Sequence, residues 1–137
     1  MRTGLLSRGQ ALGIGCWNVR TFLDPGTQSL SARSLHFYNV DVCCLSERPR
    51  DSSGRHGVAI ALSQQAELAL LTWKLVNDRM AYVRLKGHFT SISIVAVYAP
   101  TSAAEQRDKE AFYSQLQALV ESLPRRDLLI VAGDWNG

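Results

Sequence analysis

The sequence predicts an α/β or α+β domain built around a mostly buried β-sheet. Short apolar runs rich in Val, Ile and Leu recur along the chain, which is typical of buried strands. One long segment instead spaces its apolar residues with helical periodicity. With 137 residues, 46% of them hydrophobic, the chain is large enough for one domain with its own core.

The first half of the chain contains three predicted strands. Residues 1–10 are expected to form a disordered lead-in, and residues 11–17 then alternate apolar with small side chains as a strand does. A short helix with weak periodicity is expected at 28–38. The apolar runs at 40–45 and 57–62 predict the next two strands.

The second half contains three further predicted strands before a helix. The strands are expected at 67–76, 80–85 and 88–99, and the last of them alternates between two faces. Ser102 and Glu105 have the spacing of a capping box, which predicts the start of a helix. The helix has an apolar stripe formed by Phe112, Leu116, Leu119, Val120 and Leu123.

The last ten residues combine an apolar run with polar side chains. Residues 128–132 are all apolar and predict a strand buried on both faces. Asp134 and Asn136 follow, two positions apart, so they leave the same face if the backbone stays extended. The pair suits a site for a divalent cation and a phosphate oxygen. Asn136-Gly137 equally suits a tight turn, so this stretch alone leaves both readings open.

Polar residues of similar chemistry end three other predicted strands. Asn18, Glu47 and Tyr98 occupy these positions, and the end of a sheet strand is a common place to assemble a site. One or two carboxylates with amides are ligands that suit Mg²⁺. Each residue also has a structural interpretation: Asn18 suits a cap or turn, Glu47 a surface ion pair with Arg48, and Tyr98 a half-buried core position.

Charge and cysteine content restrict the compartment and partners only loosely. The net charge of +3 is compatible with a polyanionic partner but does not require one. Cys16, Cys43 and Cys44 lack metal-ligand spacing, and the two adjacent residues should point to opposite faces of a strand. These features predict a nuclear or cytoplasmic protein that is not secreted. No apolar run approaches the length of a membrane span.

Five short segments carry a resemblance to a known family. They are Trp17-Asn18-Val19-Arg20-Thr21, Leu45-Ser46-Glu47, Gly57-Val58-Ala59-Ile60, Val97-Tyr98-Ala99-Pro100-Thr101 and Gly133-Asp134-Trp135-Asn136. In this order they resemble the endonuclease/exonuclease/phosphatase, or DNase I-like, superfamily. The resemblance is strongest to the branch that contains LINE-type retrotransposon endonucleases and craniofacial development protein 2. It covers residues 11–137.

The resemblance implies a four-layer fold, a cofactor and roles for the strand-end residues. Two packed β-sheets would be flanked by helices, with the site at one edge. Glu47 would be the main ligand of Mg²⁺, or of Mn²⁺ as an alternative, with Asn18 beside it. Tyr98 would contact the scissile phosphate, Asp134 would orient or activate the attacking water, and Asn136 would bond a phosphate oxygen. The implied partner is nucleic acid, specifically DNA, and basic residues such as Arg79 are candidates for phosphate contacts.

The chain also departs from the pattern of the family. Family domains run to about 250 residues, the size of one full sandwich, so the fold is expected to be truncated here. The segment at 48–56 is a short basic loop where relatives place a longer one, which predicts an internal deletion. His36, His56 and His88 stand in none of the family's motifs.

Four functions therefore remain open. The first is a Mg²⁺-dependent endonuclease with weak or no activity. The others are a non-catalytic nucleic-acid-binding remnant, a phosphatase of small phosphoesters, and a translated fragment without function.

Overall fold

Two mixed β-sheets pack face to face in the computed structural model, which describes residues 12–19, 40–47 and 57–135. For residues 17–19 and 47 it describes the backbone alone. The described elements are β1 Ile14–Val19, β2 Val42–Glu47, β3 Gly57–Leu62, α1 Gln64–Leu68, β4 Leu70–Asn77, β5 Met80–Leu85, β6 Ile92–Tyr98, α2 Gln106–Ser122 and β7 Leu128–Asp134.

Both sheets mix parallel and antiparallel pairs. The first sheet has the order β1-β2-β3, in which β1 and β2 are parallel and β3 is antiparallel to β2. The second has the order β4-β5-β6-β7, with antiparallel pairs until the parallel pair β6-β7. Two mixed sheets with few helices form an α+β fold, as the sequence predicted.

Buried clusters lie on both faces of the four-stranded sheet, and a smaller one around Cys43 and Leu45 lies on the outer face of the three-stranded sheet. Between the sheets, Val42 and Cys44 of β2 pack with Ile94 of β6 in one buried cluster. On the opposite face, Val95 of β6 packs against Phe112 of α2. The predicted alternation of this strand and the predicted apolar stripe of the helix are therefore both confirmed. The stripe covers the sheet because its residues recur at helical spacing.

Several boundaries differ from the prediction. β1 and β2 each end two residues later than expected, so Asn18 and Glu47 lie inside their strands rather than after them. The strand predicted from residue 67 begins at Leu70 instead, because the short helix α1 precedes it. Ser63 is the N-cap of α1, and its hydroxyl accepts a hydrogen bond from the Ala66 N–H at 3.1 Å. β6 spans Ile92–Tyr98, shorter than the predicted 88–99.

Two further predictions are wrong. The capping box does not form, because α2 begins at Gln106 with Glu105 as its N-cap and no side chain bonds to the cap. β7 is not buried on both faces, since Leu128 and Leu129 are exposed. Within the described part of the chain, β7 is an edge strand that pairs only with β6, so its flank remains uncovered. The predicted lead-in at 1–10 and helix at 28–38 lie outside the described residues.

Neither of the described helices has the length and apolar content that a membrane crossing requires.

Candidate functional site

The carboxyl ends of four strands from both sheets meet at one edge of the sandwich. In the parallel pair β1-β2, Asn18 pairs with Ser46 and the last residues of the two strands are partners. In the parallel pair β6-β7, Tyr98 pairs with Asp134. Ser46 and Asp134 line the same cavity of about 240 Å³ between the sheets. The fold thus brings the strand ends that the sequence singled out to one place.

Asp134 is held at this edge by its backbone. The Ala99 N–H donates to the Asp134 carbonyl at 2.8 Å, which extends the pairing of the two strands by one bond beyond Tyr98. The preceding residue, Gly133, has φ +143°, and a Cβ there would collide with the backbone of Val97. Only glycine accommodates this close approach of β7 to β6. The approach fixes the position of the half-buried Asp134, the next residue of β7.

Tyr98 lies in the core rather than on the surface. It is only 5% exposed and packs with Val58 and Ala81 between the sheets. Its position at the end of β6 is as predicted, but most of its side chain contributes to packing. The half-buried interpretation of Tyr98 therefore understates its burial.

Arg79 lies in the turn between β4 and β5 and makes hydrogen bonds to the end of β6. The Tyr98 N–H donates to the Arg79 carbonyl at 2.8 Å, and the Arg79 Nη1 donates to the Tyr98 carbonyl at 3.0 Å. The guanidinium carbon lies 5.8 Å from the centre of the Tyr98 ring, a cation–π arrangement. Asn77 Oδ1 accepts from the Arg79 N–H at 2.8 Å and shapes the turn. This arrangement places a positive charge beside the strand end that carries Tyr98.

The side chains of the other predicted site residues are not described. The backbone of Asn18 pairs with Ser46, and the backbone of Glu47 pairs with Val19 and Gly57, so both strands end at the site edge. Asn136 lies outside the described residues. Within the part of the chain that the structure does describe, no three His, Cys, Asp or Glu side chains form a metal-binding group.

Sequence reasoning did not identify the cysteines and tryptophan of this cavity. Cys16 and Cys44 are register partners and both line it, as does Trp135. Burial, with a smaller effect from neighbouring thiols, raises the pKa of Cys44 to about 12, so it is neutral at pH 7. The Trp135 ring lies 6.5 Å from that of Phe112, edge to face. Strand alternation alone could have placed Cys16 and Cys44 on the same face, but not the cavity.

Cys43 lies on the opposite face of β2 from Cys44, in a different cluster, as predicted. Its pKa is also raised to about 12, mainly by burial.

Two curated proteins are similar to this chain over most of its length. Craniofacial development protein 2 of Bos taurus is 33% identical over 141 aligned positions, covering 90% of this chain and 24% of that protein. The Tragulus javanicus protein of the same name is 31% identical with the same coverage. The chain therefore spans about a quarter of the length of these curated relatives. No protein-family profile matches it.

Solved structures share the fold at low sequence identity. A crystal structure of humanised D. rerio TDP2 has a TM-score of 0.67 and 16% identity, covering 92% of this chain and 63% of that chain. The endonuclease domain of TRAS1, a telomere-specific non-LTR retrotransposon, has a TM-score of 0.62 and 15% identity, covering 89% and 59%.

The two-sheet fold with its strand ends at one edge, together with these matches, defines a DNase I-like fold. The chain is a homologue of craniofacial development protein 2 over 90% of its own length, as its motifs predicted.

Proposed function

We propose that this chain is a Mg²⁺-dependent phosphodiesterase domain that nicks DNA with low turnover. The observation that supports this most directly is the cavity shared by Asp134 and Ser46, because it joins the carboxyl ends of β7 and β2. Asp134 at this junction is half-buried, and its backbone position is fixed by the bond from the Ala99 N–H. Such placement favours chemistry, since groups fixed in advance need little reorganisation during a reaction.

The types of donor at this edge fit Mg²⁺, with Mn²⁺ as the alternative. Carboxylate and amide oxygens suit a hard cation that needs only one or two protein carboxylates and keeps several waters. Glu47 would hold the metal and Asn18 would fix the geometry beside it. When bound, the metal would neutralise the negative charge that develops on the phosphate and on the leaving oxygen.

The remaining roles belong to the residues on β6, on β7 and in the β4–β5 turn. Asp134 would orient the attacking water and accept its proton, and Asn136 would donate to a phosphate oxygen. Tyr98, of which only 5% is exposed, would contact the phosphate from the floor of the site. Arg79 would attract the phosphate electrostatically, since its guanidinium lies beside the same strand end.

A plasmid-nicking assay tests this proposal. Supercoiled DNA incubated with the chain and Mg²⁺ should be nicked slowly, and EDTA should stop the reaction. Asp134→Asn and Glu47→Gln should each lower the rate about tenfold or more, because each removes a charge that the reaction needs. Asp108→Asn, at an exposed position in the first turn of α2, is the matched control and should leave the rate unchanged. Nicking that persists in Asp134→Asn would contradict the proposed role.

A non-catalytic nucleic-acid-binding domain is the second candidate. The net charge of +3 and the position of Arg79 favour binding of a polyanion whether or not cleavage follows. Binding of a labelled DNA duplex that weakens steeply with salt, without any nicking, would support this candidate. Hydrolysis of a phosphoinositide in place of DNA would instead indicate a small-phosphoester phosphatase.

A further inference from the structure

Among the described residues one sheet has three strands and the other four, and none of the three lies over β4. β3 is the last strand of the three-stranded sheet, and it packs over β5 and β6 of the other sheet. Trp73 and Leu75 of β4 are register partners of Val83 and Ala81, which are buried between the sheets. The two β4 side chains therefore lie on the face towards the three-stranded sheet, but they are 67% and 55% exposed.

A groove of about 500 Å³ lies where a further strand would cover β4. Its walls are mostly apolar: Val58, Ile60 and Leu62 from β3, and Leu70, Trp73 and Leu75 from β4. Glu67 of α1 is the charged residue of the lining. An exposed apolar groove of this kind is typical of a surface that another chain covers.

The edges of the two strands beside the groove differ in how they resist strand pairing. β4 has an exposed Lys74 and two register irregularities, at 70/72 and 75/77, which are common protective features of edge strands. β3 has an uninterrupted register and contains no charged residue or proline. Among the described residues no strand pairs with the outer edge of β3. A strand added to that edge would lie directly over Trp73 and Leu75.

The relatives have residues within the matched region that this chain lacks. The match to the bovine protein extends over 141 positions, more than the 137 residues of the whole chain, yet covers only 90% of it. A sheet that is one strand narrower than its partner is consistent with such a difference.

We propose that the groove binds an extended segment of a partner protein, which pairs with β3 as a fourth strand of its sheet. Main-chain hydrogen bonds to the β3 edge would supply affinity, and apolar side chains at alternate positions would fill the groove beside Trp73 and Leu75. A basic residue of the segment would lie near Glu67, and the paired stretch would lack proline. The interaction is independent of the nuclease proposal, since no residue lines both the groove and the cavity at Asp134.

A synthetic peptide of alternating valine and threonine, with a lysine at one end, is a suitable probe. The peptide should slow hydrogen exchange at alternate amides of β3, as measured by NMR. Methylation of its backbone nitrogens should weaken binding at least tenfold, because it removes the main-chain bonds and keeps the side chains. Leu75→Lys should also weaken binding at least tenfold by placing a charge in the groove. Leu71→Lys is the matched control, since Leu71 is exposed on the same strand but does not line the groove.

Three outcomes overturn the proposal. They are no binding of the peptide at millimolar concentration, equal binding of the methylated peptide, and equal losses in Leu75→Lys and Leu71→Lys. Self-association of the free chain that Leu75→Lys abolishes would also overturn it, because the occupant would then be a second copy. The methylated peptide needs no protein variant, so the test holds even if a variant fails to fold. Loss of DNA nicking bears only on the proposed function and leaves this inference unaffected.

Discussion

The two edges of the sandwich both carry aspartates, but these are held in different ways. Where β6 and β7 begin, the Asp127 side chain is 4% exposed and accepts hydrogen bonds from Arg84 Nε and Ser93 Oγ, each at 2.7 Å. Where the same strands end, Asp134 is half-buried and lines the cavity between the sheets. The first carboxylate is enclosed by protein donors, while the second borders open space.

The starting edge of the other sheet follows the same pattern as Asp127. Asp41, just before β2, accepts from the Gly13 N–H and from the Ser63 hydroxyl, each at 3.1 Å. These bonds tie together the start of β1, the start of β2 and the segment after β3. Carboxylates at the starting edge therefore join strands, whereas the one at the ending edge lines a cavity between the sheets. Substitutions can test whether this distinction is real.

The largest effect on stability is expected at the ending edge, from Gly133→Ala. The new Cβ would collide with the Val97 backbone, and φ +143° disfavours any residue except glycine. We expect a loss of about 4 kcal/mol in the free energy of unfolding, or failure to fold, in urea denaturation. Gly15→Ala on β1 is the control, since its Cβ would meet a Val40 methyl at an ordinary 3.6 Å. Equal losses in the two variants would show that Gly133 has no special role.

Removal of the enclosed carboxylate should come next. Asp127→Ala leaves the Arg84 charge and the Ser93 hydroxyl without their partner, so we expect a loss of about 3 kcal/mol. Asp134→Ala should lower stability by less than Asp127→Ala does, because Asp134 is only half-buried and the Ala99 bond is made to its backbone. Urea denaturation of both variants measures the difference. Similar losses of stability in the two variants would contradict the proposed difference between the aspartates of the two edges.

Acid should reveal the same difference through the pKa of Asp127. The hydrogen bond from Arg84, then that from Ser93 and the Arg84 charge, hold this pKa below its ordinary value, although burial opposes them. A folded-state pKa below the unfolded one gives stability that is present above about pH 4 and lost as pH falls through the folded value. The stability advantage of the wild type over Asp127→Asn should thus be constant near neutral pH and shrink in acid.

Urea denaturation at a series of pH values would show this convergence. An advantage over Asp127→Asn that stays constant down to strong acid would contradict the assignment.

A smaller effect than that of Asp127→Ala is expected from Arg79→Gln. This variant removes the bond to the Tyr98 carbonyl and the cation over the ring, and we expect a loss of about 1 kcal/mol in thermal unfolding. Arg107→Gln is the control, because the Arg107 side chain is almost fully exposed beside Glu105 and should contribute nothing measurable. A loss of stability in Arg79→Gln no larger than in Arg107→Gln would mean that the Arg79 contacts with Tyr98 do not stabilise the end of β6.

The sequence by itself determined the strand pattern, the main helix and the similarity to known proteins. The boundaries of β3 and β5 match the prediction, and the helix stripe packs as expected, because side-chain periodicity is a local property. The order of five short motifs indicated the resemblance to craniofacial development protein 2, which the comparison with the bovine protein confirmed. The ends of β1 and β2 were predicted two residues too early. Asn18 and Glu47 lie within these strands, since the pairing between β1 and β2 continues beyond their apolar residues.

Only the tertiary structure decided how distant residues meet. Arg84 and Asp127 lie 43 positions apart, and no spacing rule predicts their ion pair. The exposure of β7 follows from its place at the edge of a sheet, which an apolar run does not reveal. The burial of Tyr98, its contacts with Arg79 and the groove over β4 likewise depend on how the two sheets stack. Stacking is set by contacts between distant segments, and a linear pattern does not record them.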